Sequence, residues 1–561
     1  MHDHQPKTVT ASPEPRAQAS GSWRLAWLRL RVHADAIAMN PATYARAMWW
    51  RILGKRLRAR IALAPLLGRS KSAYALWLAL GRDQFARADE VSGSPVTIVA
   101  LVEDGDGKAG TLASLEREGI AAEIVSGRPQ TDLIDRLARR NAWVLPMVSG
   151  DLLASGAGAL YRQAASTVTD NTHLVYADDD LIDDKGCRTD PHLKPDWNSE
   201  LHRYFDFLTG AAIVRLRDNS ADAFRSQDWA ADLIADAVNK SGDGEIVHLH
   251  GILHHRRSRP LPETVPPIAL SEQGSAALSP ISVIVPTRNG LKFLCKCLDG
   301  LAGTHYPGPI EIIVIDNGSD DPEALQYLAD IKPDFAKVLR DDGPFNFAAL
   351  NNRAVAQVTG DMLCFLNNDI EVVDPEWLTI LAHQARRTDV GSVGARLLYP
   401  DGRIQHAGVA MGIGGGAAHA HRLLKPGEPG YFHRHSLPQF VSAVTAACLV
   451  VEKEKFLAVG GFDADHFAVS FNDVDLCLKL NARGWRSLYE PRATLVHHES
   501  VSRGQDRDPA GAARLAQELD ELQKRWGQFS PYTAQSEDGR AVDPFHHPML
   551  SAYSEQFVLR L

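Results

Sequence analysis

The chain has 561 residues, a length that predicts two or three domains. Hydrophobic residues make up 45% of it and charged residues 23%, as in globular proteins. The net charge of −9 argues against a dedicated nucleic-acid binder, whose binding domain would be basic. The six cysteines form neither a CxxC pair nor a zinc-ligand spacing, which favours reduced thiols in a cytoplasm.

The N-terminal residues show no targeting or membrane-spanning segment. No apolar run reaches the roughly 18 residues of a membrane span. Residues 1–20 lack the apolar core of a signal peptide and are expected to form a disordered tail. These observations predict a cytoplasmic protein.

Residues 21–94 form a basic segment with helical propensity, in which Pro65 is expected to end or kink a helix. Between Asp35 and Asp83 there is no acidic residue. The basic residues of that stretch are Arg46, Arg51, Lys55, Arg56, Arg58, Arg60, Arg69, Lys71 and Arg82. With two adjacent tryptophans, residues 45–71 could contact the inner face of the cytoplasmic membrane peripherally. The alternative is a helical pair packed on the next domain with a solvated basic face.

Residues 95–260 predict a first α/β domain, because strand-like runs alternate with helix-like stretches, as in a parallel sheet with crossovers. The predicted strands are Pro95–Leu101, Ala122–Val125 and Ala142–Val148. An aspartate cluster follows at residues 178–184, and it fits either a strand with a turn or a metal site. The turn composition Asp183-Asp184-Lys185-Gly186 favours the former.

Residues 261–279 have the composition of a linker, and a better-patterned α/β unit follows over residues 280–505. Its predicted strands are Ile281–Val285, Ile310–Ile315 and Met362–Leu366, and its predicted helices are Leu291–Leu301, Pro322–Ile331 and Phe347–Val358. Each strand runs into a polar cluster: Thr287-Arg288-Asn289, Asp316-Asn317 and Asn367-Asn368-Asp369.

In a parallel βαβ array these three clusters meet at one sheet edge, where ligands bind. The pattern predicts a nucleotide site, with Asp316 placed for a base or ribose hydroxyl and Asp369 for a metal and a diphosphate. The absence of GxGxxG after the first strand and of a P-loop disfavours a Rossmann dehydrogenase and a P-loop kinase.

Five stretches of this unit, in this order, resemble the family 2 glycosyltransferases. They are VIVPTRNG, IIVIDNGSDD, LNNDIE, GGFDADHFAVSFNDVDLCLKLNARGW and HHESVSRG. The resemblance implies the GT-A fold, an α/β nucleotide-binding sheet fused to an acceptor-binding part. Within the family the chain is most similar to bacterial rhamnosyltransferase-like enzymes of surface-polysaccharide assembly.

The first domain is similar to a second, eroded copy of the same fold. Its stretch VYADDDLIDDKGCRTDPHLKPDWNSEL resembles the second half of such a domain, and Gln227-Asp228-Trp229 stands where a later acidic motif would fall. Ser149-Gly150-Asp151, however, replaces the metal-binding motif. We therefore expect residues 95–260 to be catalytically silent, or to serve the acceptor or the architecture.

The resemblance implies a divalent metal, Mg²⁺ or Mn²⁺, held by Asp369 and by His497, with His498 as the second choice. Asn367 replaces the first acid of the family's Asp-x-Asp motif. The resemblance assigns the general base to Asp473, although an acid at a helix start is also favourable for structural reasons alone. The residues assigned to the nucleotide-sugar are Thr287, Asn289, Asp316, Asn317, Asn352, Asn367, Asn368 and Arg503.

Three further segments complete the reading of the chain. Val441–Val451 is predicted to be a buried strand, and Gly412–Gly416 a mobile lid or an idle surface loop. Residues 506–561 are predicted to form a C-terminal helix and tail. The helix ends in Gln523-Lys524-Arg525-Trp526, one residue short of the QxxRW signature of processive synthases.

The predicted function is therefore that of an inverting, metal-dependent glycosyltransferase. It would move a sugar from a nucleoside-diphosphate sugar to a hydroxyl of a glycan or lipid-linked acceptor in surface-polysaccharide biosynthesis. One alternative is a non-catalytic nucleotide- or glycan-binding scaffold, suggested by the two asparagines that replace acids. A nucleotidyltransferase of similar fold is disfavoured, because no Gly-rich, basic phosphate loop follows the first strand.

Overall fold

The computed structural model describes residues 22–83, 96–217, 223–242, 244–263, 265, 278–498, 509–527, 534–535 and 541–561. The chain divides into two compact units. Unit 1 comprises residues 1–262, 547–553 and 558–561, and unit 2 comprises residues 263–546 and 554–557. The boundary lies within the predicted linker, most of which falls outside the described residues.

Unit 1 begins with four helices, α1 (Ser22–Met39), α2 (Pro41–Ile52), α3 (Arg56–Gly68) and α4 (Ala73–Ala79). Asn40 caps α2 by accepting the N–H of Thr43. The break between α2 and α3 falls at Gly54, which takes a left-handed φ of +72°. Pro65, expected to end or kink a helix, does not end it, since α3 continues past Pro65 to Gly68.

The sheet of unit 1 is mixed and has the order β2-β1-β3-β7-β5-β8-β4, with β6 paired to β5. Its strands are β1 (Ile98–Glu103), β2 (Ala121–Val125), β3 (Trp143–Val148), β4 (Leu152–Leu153), β5 (Leu174–Ile182), β6 (Arg188–His192), β7 (Ala212–Arg215) and β8 (Ile246–Arg256). Its helices are α5 (Lys108–Arg117), α6 (Thr131–Arg139), α7 (Ala157–Thr167), α8 (Ser199–His202) and α9 (Trp229–Lys240). The sequence predicted a parallel sheet, whereas in the structure β7 runs antiparallel to both of its neighbours.

The sheet of unit 2 has the order β11-β10-β9-β12-β19-β14-β20-β13. Its strands are β9 (Ile281–Thr287), β10 (Ile310–Asp316), β11 (Lys337–Arg340), β12 (Met362–Leu366), β13 (Ile370–Val372), β14 (Val390–Leu398), β15 (Ile404–His406), β18 (Gln439–Val441), β19 (Cys448–Glu452) and β20 (Arg486–His497). A separate hairpin is formed by β16 (Val409–Met411) and β17 (Ala417–His419). A short hairpin elsewhere pairs β21 (Ala534–Gln535) with β22 (Ala541–Val542). The β15 and β18 strands extend the sheet beside β14 and β20.

Helices cover both faces of the unit 2 sheet, which explains the unbroken apolar runs of its central strands. They are α10 (Leu291–Ala302), α11 (Pro322–Asp330), α12 (Phe347–Val355), α13 (Trp377–Ala385), α14 (Lys453–Ala458), α15 (Asn472–Asn481) and α16 (Pro509–Trp526). One core cluster joins the sheet to α10 and α13, and the other joins it to α12 and α15. The predicted strand Val441–Val451 is wrong, since β18 ends at Val441 and β19 begins only at Cys448.

Among the described residues, the two sheets share one strand order and one pattern of directions, except that β11 and β18 of unit 2 have no counterpart in unit 1. In each, two parallel strands flank the first strand, an antiparallel strand follows, and two long strands then pair in parallel. The last short strand, β4 or β13, pairs antiparallel with the end of β8 or β20. This correspondence supports the predicted duplication of the fold.

Among the described residues, none of the helices combines the length and the low polarity that crossing a bilayer would need.

Candidate active site

The carboxyl ends of β9, β10 and β12 lie at one edge of the unit 2 sheet, as predicted. Asp316 is directly paired with Thr287 in the β9–β10 ladder. The hydroxyl of Thr287 in turn accepts a 2.8 Å hydrogen bond from the Nδ2 of Asn368, after the end of β12. All three polar clusters expected at this edge therefore meet there.

Asn289 fastens the loop after β9 to the loop after β10. It takes a left-handed φ of +53°, which asparagine tolerates better than most residues. Its side-chain oxygen accepts the N–H groups of Asp320 and Asp321, both at 3.0 Å. Its own N–H donates to the Ser319 hydroxyl at 2.8 Å. In this structure Asn289 therefore holds the loops at this edge of the sheet in place through hydrogen bonds to other protein groups.

Asp316 is buried and already bonded at both carboxylate oxygens. One oxygen accepts the N–H of Ser319 at 2.9 Å, and the other accepts from Arg340 at 2.5 Å. Asn317 donates to the carbonyls of Asp341 and Gly343, while its Oδ1 is buried without a hydrogen-bond partner. Arg340 was missed in the sequence because it lies in β11, an edge strand without a recognisable motif.

Asp369 and His497 are brought together by the pairing of β13 with β20. Ile370 lies opposite His497 in this antiparallel ladder, and the His497 Nε2 is 3.1 Å from the Asp369 Oδ1. The Nδ1 of His497 is 2.6 Å from the Oε1 of Gln405. A glutamine oxygen can only accept, so the proton of a neutral imidazole lies on Nδ1 and Nε2 presents its lone pair.

Two acceptor atoms therefore face each other between Asp369 and His497. The Asp369 Oδ1 is buried and has no hydrogen-bond partner. The Asn367 side chain also reaches this point, with Nδ2 3.3 Å from the His497 Nε2. As the side chain is placed, the Asn367 amide N–H donates to the His497 Nε2, so the imidazole lone pair is held only by this one amide. An unsatisfied carboxylate oxygen and an imidazole lone pair are what a divalent cation needs, so these residues fit the metal expected here.

The neighbouring His498 faces another partner. Its Nε2 is 2.9 Å from Glu371, which also pairs with Lys296 at 2.6 Å. Adjacent residues of a strand point to opposite sides, so only one of the two histidines can face Asp369. The structure gives that position to His497.

Asp473 lies in the first turn of α15, which starts after Phe471, a residue held at a left-handed φ of +60°. Its two carboxylate oxygens accept the N–H groups of Val474 at 2.9 Å and Ala446 at 3.0 Å. Burial raises the pKa of this carboxyl above its usual value, against the opposing effect of these hydrogen bonds.

A short backbone segment connects Asp473 with Asn367, which lies beside the predicted metal ligands. Ala446 donates to the Asp473 carboxylate, and the carbonyl of the next residue, Ala447, accepts the N–H of Asn367 at 3.0 Å. Asp473 and Asn367 are therefore both bonded to adjacent residues of one segment. The site is continuous from the predicted base to the predicted metal ligands.

The other two polar residues at the start of α15 have structural contacts. Asn472 is buried and donates to the carbonyl of Val469 at 2.9 Å. Asp475 is fully buried, and its Oδ1 accepts from Arg525 and from the Trp526 indole, each at 3.0 Å. Its Oδ2 forms an ion pair with Lys479 at 3.0 Å.

Helix α16 therefore packs onto the element that carries Asp473. Its buried Glu518 accepts the backbone N–H groups of Val469 and Ser470 at 3.0 Å each. The near-match to QxxRW supplies the Arg525 and Trp526 contacts to Asp475. The spacing of this near-match does not by itself predict the contact with Asp475.

Asn352 and Arg503 are the remaining residues that the sequence assigned to the nucleotide-sugar. Asn352 bonds the backbone of Phe462 through both ends of its amide, at 2.8 Å and 3.1 Å, and so holds that loop. Arg503 lies outside the described residues.

The tip of the β16–β17 hairpin, predicted as a lid or an idle loop, bonds α16. The Gln523 side chain donates to the carbonyl of Gly415. This contact ties the hairpin to the same helix that supports α15.

The corresponding edge of unit 1 is built differently. Asp151, which follows β3 as Asp369 follows β12, accepts the N–H of Arg257 at 2.8 Å. Burial raises the pKa of Asp151 to about 6. His255, paired with Leu152 as His497 is with Ile370, bonds Asp180 at 2.7 Å. Asp151 and His255 each have a protein partner of their own, unlike the facing pair of unit 2.

The aspartate cluster of unit 1 lies mainly inside a strand. Asp178, Asp179 and Asp180 are buried in β5, and Asp179 pairs with the buried Lys194 at 2.9 Å. The predicted turn follows at Asp183, whose carboxylate accepts backbone N–H groups.

Three histidines of unit 1, His248, His250 and His547, bring ring nitrogens within 4.8 Å of one another. Asp196 accepts from His248 at 3.0 Å and from His250 at 2.8 Å. The second nitrogen of His248 is 3.1 Å from Asp178, so both nitrogens carry protons. The two carboxylates raise the pKa of His248 despite the opposing effect of burial.

The Nδ1 of His547 accepts the N–H of Met549 at 3.1 Å, which leaves the ring proton on Nε2, 2.9 Å from Asp178. The ring nitrogens of this group that face Asp178 and Asp196 therefore carry protons rather than lone pairs. They contrast with His497, whose Nε2 presents a lone pair to a second acceptor.

Comparison with known proteins finds a matching family model and several relatives. Residues 282–433 match the family described as "Glycosyl transferase family 2". The chain is 37% identical over 467 residues to the "Uncharacterized protein y4gI" of Sinorhizobium fredii, covering 75% of this chain and 50% of that protein. It is 34% identical over 438 residues to the "O-antigen biosynthesis protein RfbC" of Myxococcus xanthus, covering 69% of this chain and 32% of that protein.

A shorter match reaches an N-acetylglucosaminyl-diphospho-decaprenol L-rhamnosyltransferase of Mycobacterium tuberculosis. It is 28% identical over 226 residues and covers 36% of this chain and 70% of that protein. Among solved structures, the mannosyltransferase PcManGT of Pyrobaculum calidifontis, in complex with GDP-Man and Mn²⁺, is 18% identical, with a TM-score of 0.34 over 49% of this chain and 70% of that one. The chain spans half or less of the length of the first two relatives.

Proposed function

Since residues 282–433 match the family 2 glycosyltransferases, we propose that unit 2 has the GT-A fold of that family and transfers a sugar with inversion. The donor would be a nucleoside-diphosphate sugar, and the acceptor a hydroxyl of a glycan or a lipid-linked glycan. The observation that carries this proposal is the facing of the Asp369 Oδ1 and the His497 Nε2 at the nucleotide edge of the sheet. The names of the O-antigen and rhamnosyltransferase relatives support a role in surface-polysaccharide assembly.

Asp473 is the proposed general base. Its carboxylate takes the proton of the acceptor hydroxyl as the oxygen bonds to the anomeric carbon of the sugar. The bond from that carbon to the diphosphate breaks at the same time, and the nucleoside diphosphate leaves with the electron pair. A single carboxylate working opposite the leaving group implies direct displacement, and therefore inversion.

Asp369 and His497 are the proposed holders of a divalent cation, Mg²⁺ or Mn²⁺, which when bound offsets the charge of the leaving diphosphate. Gln405 keeps the His497 lone pair available by accepting the Nδ1 proton. Asn367 would contribute its side-chain amide oxygen to the same cation, since rotating the amide group turns that oxygen toward the His497 Nε2.

The test is a panel of nucleotide-sugars that includes donors of rhamnose, assayed for release of nucleoside diphosphate with and without Mn²⁺. We expect metal-dependent release that increases with acceptor. Asp473→Asn should lower kcat by about 10²–10⁴-fold while nucleotide binding survives. Asp465→Asn, on an exposed acid of the preceding loop, is the matched control and should keep full activity.

The alternatives make different predictions in the same assay. A scaffold with a dead site would release no nucleotide from any donor. A nucleotidyltransferase would release pyrophosphate. Full activity of Asp473→Asn would contradict the assignment of the base.

A further inference from the structure

Helices α1, α2 and α3 of unit 1 carry an unusual amount of exposed apolar surface. More than half of the large hydrophobic side chains exposed in the described residues lie between Trp23 and Ile61. We call these side chains, apart from Met39, the apolar stripe. It consists of Trp23, Trp27, Leu30, Ile37, Trp49, Ile52, Leu53, Leu57 and Ile61, which are 44–75% exposed. The three helices contact one another.

Helix α1 has two apolar faces. At 100° per residue, Trp23, Trp27, Leu30 and Ile37 lie within an arc of roughly 80°. The buried residues of α1 occupy the opposite side, and they are Leu28, Val32 and Ala36. The buried face packs in a small core with Leu76, so the exposed face is not needed to hold the helices together.

Helix α3 repeats this arrangement. Leu57 and Ile61, one turn apart, are exposed, whereas Ala59 and Leu63 are buried. Two separate helices of one bundle therefore turn a second apolar face outward. Exposed apolar surface of this extent marks an interaction site.

The charge around the stripe identifies the kind of partner. Residues 22–82 contain twelve arginines and lysines and one acidic residue, Asp35, although the whole chain has a net charge of −9. Arg56, Arg58 and Arg60 alternate with the apolar residues of α3 and are exposed. Arg31 lies over the ring of Trp27 at 4.9 Å. A second copy of the chain would oppose this positive charge with the same charge.

We propose that the apolar stripe docks on the surface of a lipid bilayer with anionic headgroups. Tryptophan rings and aliphatic side chains would enter the boundary between headgroups and acyl chains. The arginines would contact lipid phosphates, with their long stems lying along the apolar layer. The surface is larger than the one predicted from the sequence for residues 45–71, because α1 contributes four of its members.

The inference is independent of the proposed reaction, since it rests on the exposure and charge of unit 1 alone. It deepens the proposed function in one respect. A protein held at a bilayer surface is close to lipid-linked acceptors.

The test is co-sedimentation of the full chain with vesicles of phosphatidylglycerol and phosphatidylcholine, compared with vesicles of phosphatidylcholine alone. We expect binding to the anionic vesicles that weakens as salt is raised. The double variant Trp23→Glu/Trp27→Glu should bind at least about tenfold more weakly. Both side chains are exposed, so the variant should fold, as an unchanged melting temperature would verify.

The matched control is Leu325→Glu/Leu457→Glu, which places two charges on exposed leucines of unit 2 helices and should bind like the parent. Arg56→Gln/Arg58→Gln should reduce binding to anionic vesicles and flatten its salt dependence. Equal binding of the tryptophan variant and the parent would overturn the proposal. So would a dimer in solution that the tryptophan substitutions dissociate, because the stripe would then be covered by a second copy.

Discussion

At the scale of single residues, the proton position on His497 determines what its site can hold. Gln405 accepts the Nδ1 proton and so turns a lone pair toward the unsatisfied oxygen of Asp369. In unit 1 the backbone N–H of Met549 has the opposite effect on His547. Two clusters of similar composition therefore differ in chemistry because one neighbour accepts and the other donates.

Gln405→Leu should lower the affinity for Mn²⁺ by about 10–100-fold, because the imidazole loses the partner that fixes its tautomer and orientation. The measurement is calorimetric titration of Mn²⁺ in the presence of a nucleoside diphosphate. Gln384→Leu removes a glutamine that bonds Glu490 instead, and it should leave this affinity unchanged. Parent-like Mn²⁺ affinity in Gln405→Leu would remove Gln405 from the site.

The pH dependence of transfer should reflect Asp473. A general base must be deprotonated, and burial raises the pKa of this carboxyl, so activity should rise with pH through a value above that of an ordinary aspartate. The measurement is kcat/KM against pH, with donor and metal saturating. A rate that does not change with pH on the acid side, in a range where the protein stays folded, would contradict this assignment.

At the scale of elements, α16 supports the loop that leads into α15. Glu518 accepts two backbone N–H groups of this loop, and Arg525 and Trp526 bond the buried Asp475. The sequence predicted the helix at Pro509–Trp526 correctly, because its charge pattern and its starting proline are local signals. Its packing partner could not be predicted, since it depends on contacts about fifty residues apart.

Glu518→Ala should destabilise the protein by about 2–6 kcal/mol, because it leaves two buried backbone donors without an acceptor at about 1–3 kcal/mol each. The measurement is denaturant unfolding, together with kcat. Asp520→Ala on the same helix removes an exposed pair with Lys524 and should leave stability almost unchanged. If the two variants were equally stable, Glu518 would have no role in holding the loop.

Strand assignment in unit 2 shows the limits of local signals. The ends of Met362–Leu366 were predicted to the residue, because a turn precedes it and polar residues follow it. Val441–Val451 was equally apolar, yet it divides between β18 and β19. The linking residues turn so that the N–H of Ala446 meets Asp473, a contact that no local pattern encodes.

At the scale of the whole molecule, the two sheets share a topology but not the chemistry of their edges. Asp151 and Asp369 follow corresponding strands. Asp151 is bonded to the backbone of Arg257, whereas Asp369 keeps an unsatisfied oxygen. We therefore expect unit 1 to be silent in sugar transfer.

Paired variants test this difference. Asp369→Asn should lose transfer, while Asp151→Asn should retain it within about twofold, because asparagine can still accept the Arg257 N–H. The measurement is kcat/KM for each variant. Loss of transfer in Asp151→Asn, with the melting temperature unchanged, would give unit 1 a direct role.

Asp151→Asn should also change the response of stability to pH. The folded pKa of Asp151 is raised to about 6, so its protonated form stabilises the fold at low pH. That contribution fades as pH rises from about 4 through about 6. The variant should therefore become more stable relative to the parent over this range, as unfolding at several pH values would show. A constant difference between the two proteins would contradict the assignment.

The sequence by itself determined the strands β9, β10 and β12 and the helices α10, α11 and α12 of unit 2, and the convergence of polar residues at one sheet edge. It could do so because strand ends follow from local apolar runs, and parallel strands bring their carboxyl ends to one side. The tertiary structure alone decided that His497 rather than His498 faces Asp369, and that Gln405 accepts at Nδ1 and so turns the Nε2 lone pair toward Asp369. These depend on strand register and on contacts between distant residues. Identification of the apolar stripe required both sequence and structure. The sequence gives the positive charge around it, and the fold shows which face of each helix stays exposed.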